Sequence, residues 1–345
     1  MFENKERTTV DQLGEFGLIN HLISAIKLET DQTLVPAGDD AAIIATKGKD
    51  LVVSTDMLVE NVHFDVMYTP LKHLGYKAAV VNFSDICAMN AIPSQLTMSM
   101  AFSSKYTLEA IEELYSGILL ACKKYKVDLV GGDTCTIPQG LVLTGTAMGF
   151  GDNNNTTKRA GAKPGDLLCV TGDLGGAYMG LQLLEREKRV FLDNNEMKPD
   201  LGSHDYIVGR QLKPEARIDV IEILKNLEIQ PTSMIDISDG LSSEVFHLSE
   251  ASKVDFSIYE DKLPIDQDTF DMAVEFGIDP TTAALNGGED YELLFTVDQQ
   301  EYEKLKAHLD ITIIGYAKEA GMKNELISKQ GNTYELKAQG WKHKQ

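Results

Sequence analysis

Gly38-Asp39-Asp40-Ala41-Ala42-Ile43-Ile44 sets two adjacent carboxylates directly before a short apolar run, and Leu51-Val52-Val53-Ser54-Thr55-Asp56 follows beyond a turn around Gly48. Read as neighbouring strands, the two runs bring three acids and two hydroxyls to nearby sheet ends. Carboxylates gathered without partners repel one another and require a cation. Taken alone, Asp39 and Asp40 read more readily as solvated turn residues. Recurrence favours the stronger reading, because acids near Gly, Ser or Thr return at Asp85, Asp133, Asp236 and Asp239.

Outward from that stretch, residues 11–28 carry Leu13, Phe16, Ile19, Leu22, Ile23 and Ile26, the spacing of an amphipathic helix. Strands are expected over 41–45 and 51–55. Residues 71–89 read as a helix rich in small residues that contains Asn82-Phe83-Ser84-Asp85, and an acid buried in such a helix needs a partner or a metal. A strand follows at 95–102. Thr107 is placed to cap a helix reaching about Tyr125. Val127–Val130 reads as a short buried strand ending in Gly131-Gly132-Asp133-Thr134, and another strand spans 141–150.

The polar turn Gly151–Thr157 is the candidate domain boundary. Beyond it come a strand at 167–171, a helix entered through Gly172–Gly176, and an irregular, insertion-like stretch over 188–205. Pro214 then suits the first turn of a helix. Met234–Leu241 reads as a strand running into a helix start. A turn at Asn286–Asp290 precedes a strand at 291–297, a helix at 299–309, and strands at 311–317, 325–328 and 333–337. Strands and helices alternate in both halves, so the expectation is an α/β (α+β) protein of two domains, 1–150 and 151–345.

With 345 residues the chain is long enough for a substantial core. Its net charge of −21 offers no basic surplus for phosphates, which argues against nucleic acid as a partner. Small phosphorylated ligands are compatible with it, since bound divalent ions reverse the local sign. Cys87, Cys122, Cys135 and Cys169 form no C-x-x-C pair, which argues for a reducing compartment and against a zinc site. The start, Met1-Phe2-Glu3-Asn4-Lys5, has no apolar signal region, and no stretch approaches a membrane span, so a cytoplasmic location is expected.

Carboxylates and hydroxyls without clustered His or Cys suit hard cations, chiefly Mg²⁺, which binds through a few carboxylates together with substrate phosphates. The spacing is not that of a calcium loop. A multi-metal nucleotide or polyphosphate site is therefore expected. Gly131-Gly132 fits either close approach to a phosphate or a tight turn. Gly172–Gly176 lacks the G-x-G-x-x-G order and reads as a strand-to-helix turn. No G-x-x-x-x-G-K-[ST] and no protein-kinase signature occurs. Asp128 and Asp173 read as solvated or capping residues.

The acids belong to an ordered set of motifs. Gly38-Asp39-Asp40-Ala41-Ala42, Ser54-Thr55-Asp56, Asn82-Phe83-Ser84-Asp85, Gly131-Gly132-Asp133-Thr134, Arg159-Ala160-Gly161-Ala162-Lys163-Pro164-Gly165-Asp166, Ile235-Asp236-Ile237-Ser238-Asp239-Gly240-Leu241 and Gly287-Gly288-Glu289-Asp290-Tyr291-Glu292-Leu293 span nearly the whole chain. Together they resemble the thiamine-monophosphate kinase family, of the superfamily that includes aminoimidazole ribonucleotide synthetase. The resemblance implies that superfamily's two-domain fold of mixed sheets flanked by helices, a homodimer joined through its amino-terminal sheets, and an ATP site in a cleft. It implies Mg²⁺-dependent transfer of the ATP γ-phosphoryl group to thiamine monophosphate.

Carried over by motif, Asp40, Ser54, Thr55, Asp56, Asp85, Asp133, Asp236 and Asp239 would hold several Mg²⁺ ions. Gly132, Asp133, Arg159 and Ser238 would contact ATP, and His63, Glu289 and Trp341 the acceptor. Asp39 would orient Asp40 or its loop. No dedicated general base is expected, because the attacking phosphate oxygen is already anionic. Two other readings compete: another ATP-dependent synthetase of the superfamily, and a non-catalytic nucleotide-binding scaffold. Residues 1–30 contain no Cys to handle selenium, the Gly287–Leu293 motif fits the kinase better, and a scaffold has little use for the complete acid set.

Overall fold

The computed structural model describes residues 33–337 except 36–38, 47, 153–154, 195, 197–198 and 203. The helix expected over 11–28, Gly38 and Trp341 lie outside the described residues. Two seven-stranded sheets divide the chain. The first contains β1 (Thr33–Val35), β2 (Ala42–Ala45), β3 (Lys49–Val59), β4 (Ile92–Phe102), β5 (Asp128–Gly131), β6 (Thr134–Thr136) and β7 (Leu141–Asp152). Their spatial order is β1-β2-β3-β7-β4-β5, with β6 also on β4. Helices α1 (Leu71–Ala88) and α2 (Leu108–Tyr125) belong to this half. The expected hairpin exists: β2 and β3 pair antiparallel, Ala42 opposite Val53. Thr107 caps α2, its hydroxyl accepting the Ala110 N–H at 3.3 Å.

The second half comprises β8 (Leu167–Thr171), α3 (Gly176–Asp193), α4 (Asp205–Leu212), α5 (Ile218–Asn226), β9 (Ser233–Asp236), α6 (Leu241–Ser252), β10 (Asp255–Tyr259), α7 (Gln267–Glu275), α8 (Pro280–Asn286), β11 (Leu293–Val297), α9 (Tyr302–Leu305), β12 (Ile311–Lys318), β13 (Glu325–Ile327) and β14 (Thr333–Glu335). The strand order is β14-β13-β10-β12-β8-β11-β9, mixed because β10 and β13 run parallel.

Helix α1 is covered nearly all round. Fourteen of its 18 residues are buried, including Lys77, Asn82 and Ser84. An ordinary surface helix buries one stripe. This one instead carries small residues on every side, and at its crossing with α2 the backbones touch. A Cβ at Gly75 would lie 1.9 Å from the Leu114 carbonyl oxygen, and one at Gly117 1.9 Å from that of Lys72. The apolar core runs through α1 from one half into the other, joining Phe83 and Ile86 to Val220, Met234 and Phe295.

Several local expectations are corrected. Residues 188–193 are not irregular but extend α3, and Lys188, one turn from Glu185, reaches the cleft wall to pair with Asp65 at 2.6 Å. Pro214 does not open a helix. Residues 213–217 stay irregular while Ala216 N–H donates to the Tyr125 hydroxyl at 2.9 Å, and α5 begins at Ile218. The 299–309 segment forms a 3₁₀ turn over Gln299–Glu301 and the short α9, which buries only Leu305. β5 is an edge strand with Asp128, Val130 and Gly131 exposed, not a buried one.

Candidate functional site

Period-two alternation in β3 sends Ser54 and Asp56 to the face packed against α1 and Thr55 to the opposite face. The segment before β2 brings Asp40 alongside, α1 contributes Asp85, and the end of β9 contributes Asp236. One carboxylate oxygen from each of Asp40, Asp85 and Asp236 lies within 4.8 Å of the other two. Asp56 adjoins Asp85, and the Ser54 hydroxyl donates to the Asp85 carboxylate. Four sequence-distant segments from both halves thus build one acidic centre.

Its electrostatics follow from burial. Desolvation, with Asp56, Asp236 and Asp40 nearby, lifts Asp85 well above the usual carboxylate range. Burial also raises Asp56, and it pushes Asp236 up to about 7 with Asp40 and Asp56 adding to the effect. Asp39 rises to about 6 through burial and the neighbouring Asp40. The cation on this centre is Arg159, whose Nε and Nη2 hold the two Asp40 oxygens at 2.9 and 2.7 Å, a bidentate fork. The two members of the acidic pair have different surroundings. Asp40 faces the centre, whereas Asp39 accepts the backbone N–H groups of Asp40 at 2.9 Å and Arg159 at 3.3 Å.

Other expected residues are not brought into the centre. The Thr55 hydroxyl donates to the Gly145 carbonyl at 2.6 Å and accepts from Thr146 at 3.0 Å. Gly132 and Asp133 lie on the exposed sheet edge, with Gly132 packed on the Met98 carbonyl, where a Cβ would come within 2.0 Å. Met98 faces Gly145, which faces Asp56, so Gly132 is three strand spacings from Asp56, about 14 Å.

A cleft of about 800 Å³ opens beside the acids. Its lining includes Asp56, Asp85, Asp236, Ser238 and Asp239 together with His63, Phe64, Tyr68 and Glu289. His63 accepts the Val59 N–H on Nδ1 at 3.0 Å. Glu289 is fixed three ways. Its backbone is left-handed at φ +65°, its N–H donates to the Ser238 carbonyl at 2.7 Å, and its carboxylate takes Lys77 at 2.9 Å and Gln211 at 2.6 Å.

Lys77 and Gln211 were absent from the sequence reading. The available signal was a lysine inside the same apolar helix that had already singled out Asp85. Within the Gly287–Leu293 motif Gly288 and Tyr291 also line the cleft, while Asp290 and Glu292 brace the fold. Asp290 accepts the N–H groups of Gly175 at 2.8 Å and Ala177 at 3.3 Å at the start of α3. Glu292 takes Thr171, Arg210 and Arg217. Asp173 is not solvated but accepts from the Tyr206 hydroxyl, and burial raises it.

The donors at the acidic centre are carboxylate and hydroxyl oxygens facing one arginine, a set that fits a hard divalent cation rather than zinc or copper.

Residues 38–150 match AIR synthase related protein, N-terminal domain, and residues 163–325 match AIR synthase related protein, C-terminal domain. The thiamine-monophosphate kinase of Bacillus subtilis (strain 168) is 36% identical over 337 residues, 96% of this chain and 99% of that protein. The thiamine-monophosphate kinase of Aquifex aeolicus (strain VF5) is 34% identical over 333 residues, covering 96% and 98%. The solved structure of AaThiL complexed with AMPPCP and TMP superposes with a TM-score of 0.82 at 30% identity, covering 99% of this chain and all of that one. With both family domains in order and identity at this level across almost its full length, the chain belongs to the thiamine-monophosphate kinase family, a family of ATP-dependent phosphotransferases.

Proposed function

We propose that the chain transfers the γ-phosphoryl group of ATP directly to thiamine monophosphate, giving thiamine diphosphate and ADP, with Mg²⁺ at the acidic centre. One observation carries the reading: Asp56, Asp85 and Asp236 of the acidic centre line the same cleft as His63 and Glu289. Asp40, Ser54, Asp56, Asp85, Asp236 and Asp239 are the proposed cation ligands of that centre. Thr55 and Asp133 enter the proposal as ligands met elsewhere, from the opposite face of β3 and from the sheet edge. Bound Mg²⁺ would supply charge screening between two anionic phosphates.

The chain's own residues position the reactants. Arg159 holds Asp40 through its fork and would reach a phosphate by exchanging that carboxylate for it as a cation takes up Asp40, while Ser238 and Gly132 would flank the nucleotide. Glu289 and His63 orient the acceptor, with Trp341 proposed as an aromatic contact to its cationic ring. The attacking oxygen carries its own negative charge, so alignment takes the place of a general base.

A homodimer is part of the proposal. The face of the first sheet away from α1 presents Val53, Thr55 and Met57, with Met57 54% exposed. A cytoplasmic setting is supported by four cysteines that are all free. Among the described residues no helix is long and apolar enough to cross a membrane.

The test is direct. Purified chain with ATP, Mg²⁺ and thiamine monophosphate is expected to yield thiamine diphosphate, resolved chromatographically. Normal ATP binding without that product overturns the proposal.

A further inference from the structure

Helix α1 handles three acids within four residues. The Asn82 Oδ1 accepts the Asp56 backbone N–H at 3.0 Å, the Ser84 hydroxyl donates to the Asp236 carboxylate at 2.5 Å, and Asp85 accepts from Ser54. Asn82 differs from the other two in meeting the backbone of its acid rather than a carboxylate, and it has no place on the cleft wall. It is 1% exposed, and its Nδ2 donates to the Ala78 carbonyl at 2.9 Å. Oxygen toward Asp56 and nitrogen toward Ala78 is the one amide orientation these partners accept.

The room for this amide comes from another strand. Gly145 in β7 lies opposite Asp56, and a Cβ there would come within 2.4 Å of the Asn82 Nδ2. The pairing of β2 with β3 has already ended at Ala42–Val53, three residues before Asp56. A buried N–H past the end of a ladder needs an acceptor, and Asn82 supplies it.

We propose that Asn82, seated in the space left by Gly145, is a positioning residue for the cation site. It ties the backbone of Asp56 to the helix that carries Asp85 and so fixes the separation of two carboxylates that share the ion. The inference rests on the reading of these acids as divalent-cation ligands. Residues that orient metal ligands without touching the metal typically govern its affinity by roughly ten- to a hundredfold.

Two substitutions in the full chain test it: Asn82→Leu, which keeps the branched outline of the side chain but removes both the acceptor to Asp56 and the donor to Ala78, and Gly145→Ala, which removes no polar group but crowds the amide. Mn²⁺ binding is followed by electron paramagnetic resonance in the presence of ATP and without acceptor, alongside thermal unfolding. Both variants are expected to bind Mn²⁺ roughly tenfold more weakly while unfolding cooperatively. A packing role alone would lower the melting temperature and leave the Mn²⁺ affinity of the folded protein unchanged, and that result overturns the proposal. If Asn82→Leu does not fold, wild-type Mn²⁺ affinity in Gly145→Ala overturns it equally. Absence of Mn²⁺ binding by the unaltered chain overturns the cation reading itself and this role with it.

Discussion

Two groups of buried carboxylates among the described residues are balanced differently. At the acidic centre Asp40, Asp56, Asp85 and Asp236 face Arg159, which is spent on Asp40. In the second half, Glu292 is held by Arg210 at 2.9 Å and Arg217 at 2.5 Å, while Asp290 has Arg210 at 3.8 Å and the first N–H groups of α3. The second group satisfies its charge from within the chain, as buried ions must if they serve only the fold. The first is left short of positive charge, and that deficit marks it as a place for something brought from outside. Burial alone does not distinguish them, since Asp236 and Asp290 are both pushed up to about 7.

The largest effect expected from this contrast is on turnover. Asp85→Asn is expected to reduce thiamine diphosphate formation by roughly a hundredfold or more, while leaving the melting temperature unchanged or higher because one member of a repelling group is gone. Next in size is a stability effect on the other group. Glu292→Gln weakens the hold on two buried guanidinium groups and is expected to cost about 3 kcal/mol in urea unfolding, with turnover per folded molecule kept within a few fold. If the two variants behave alike, the distinction between site and brace collapses.

The smallest expected effect is a slope. Asp39, near 6, and Asp236, near 7, titrate above their unfolded values. The folded state therefore holds more protons than the unfolded one between about pH 4 and 7, and stability falls as pH rises through that window. On the proposed reading a divalent ion would displace the Asp236 proton, so Mg²⁺ is expected to flatten the fall in melting temperature, leaving the share that comes from acids outside the ligand set, Asp39, Asp173 and Asp290 among them. An identical slope with and without Mg²⁺ would remove the acidic centre from the account.

Much of this was legible in the chain itself. The hairpin of β2 and β3, the division between Asp39 and Asp40, and the oddity of Asp85 in an apolar helix all follow from local pattern. Thr55 was legible too, because neighbours in a strand face opposite ways, yet motif matching grouped it with Ser54 and Asp56. The bracing role of Glu292 was not legible. Arg210 and Arg217 lie 82 and 75 residues away, and nothing local announces such a pairing. The edge position of β5 was hidden because a short apolar run reads alike in the centre and at the rim of a sheet. Asn82 escaped notice because its meaning depends on an absent side chain at Gly145.

The burial of α1 on every side has a consequence for how the molecule is made. Its Tyr76 hydroxyl meets Glu215, its Lys77 the Gln211 carbonyl, and its Ser84 Asp236, across chain separations of 139, 134 and 152 residues. A nascent chain that has emerged only as far as β7 has the first sheet complete but one flank of α1 bare, with a buried-type lysine and an apolar surface turned to solvent. Closing such long loops is entropically costly and comes late. The centre, which draws Asp40, Asp56 and Asp85 from one half and Asp236 from the other, is thus assembled at the last docking step. On the proposed reading of this centre, competence to bind an ion and completion of folding become the same event, and a half-length chain has neither.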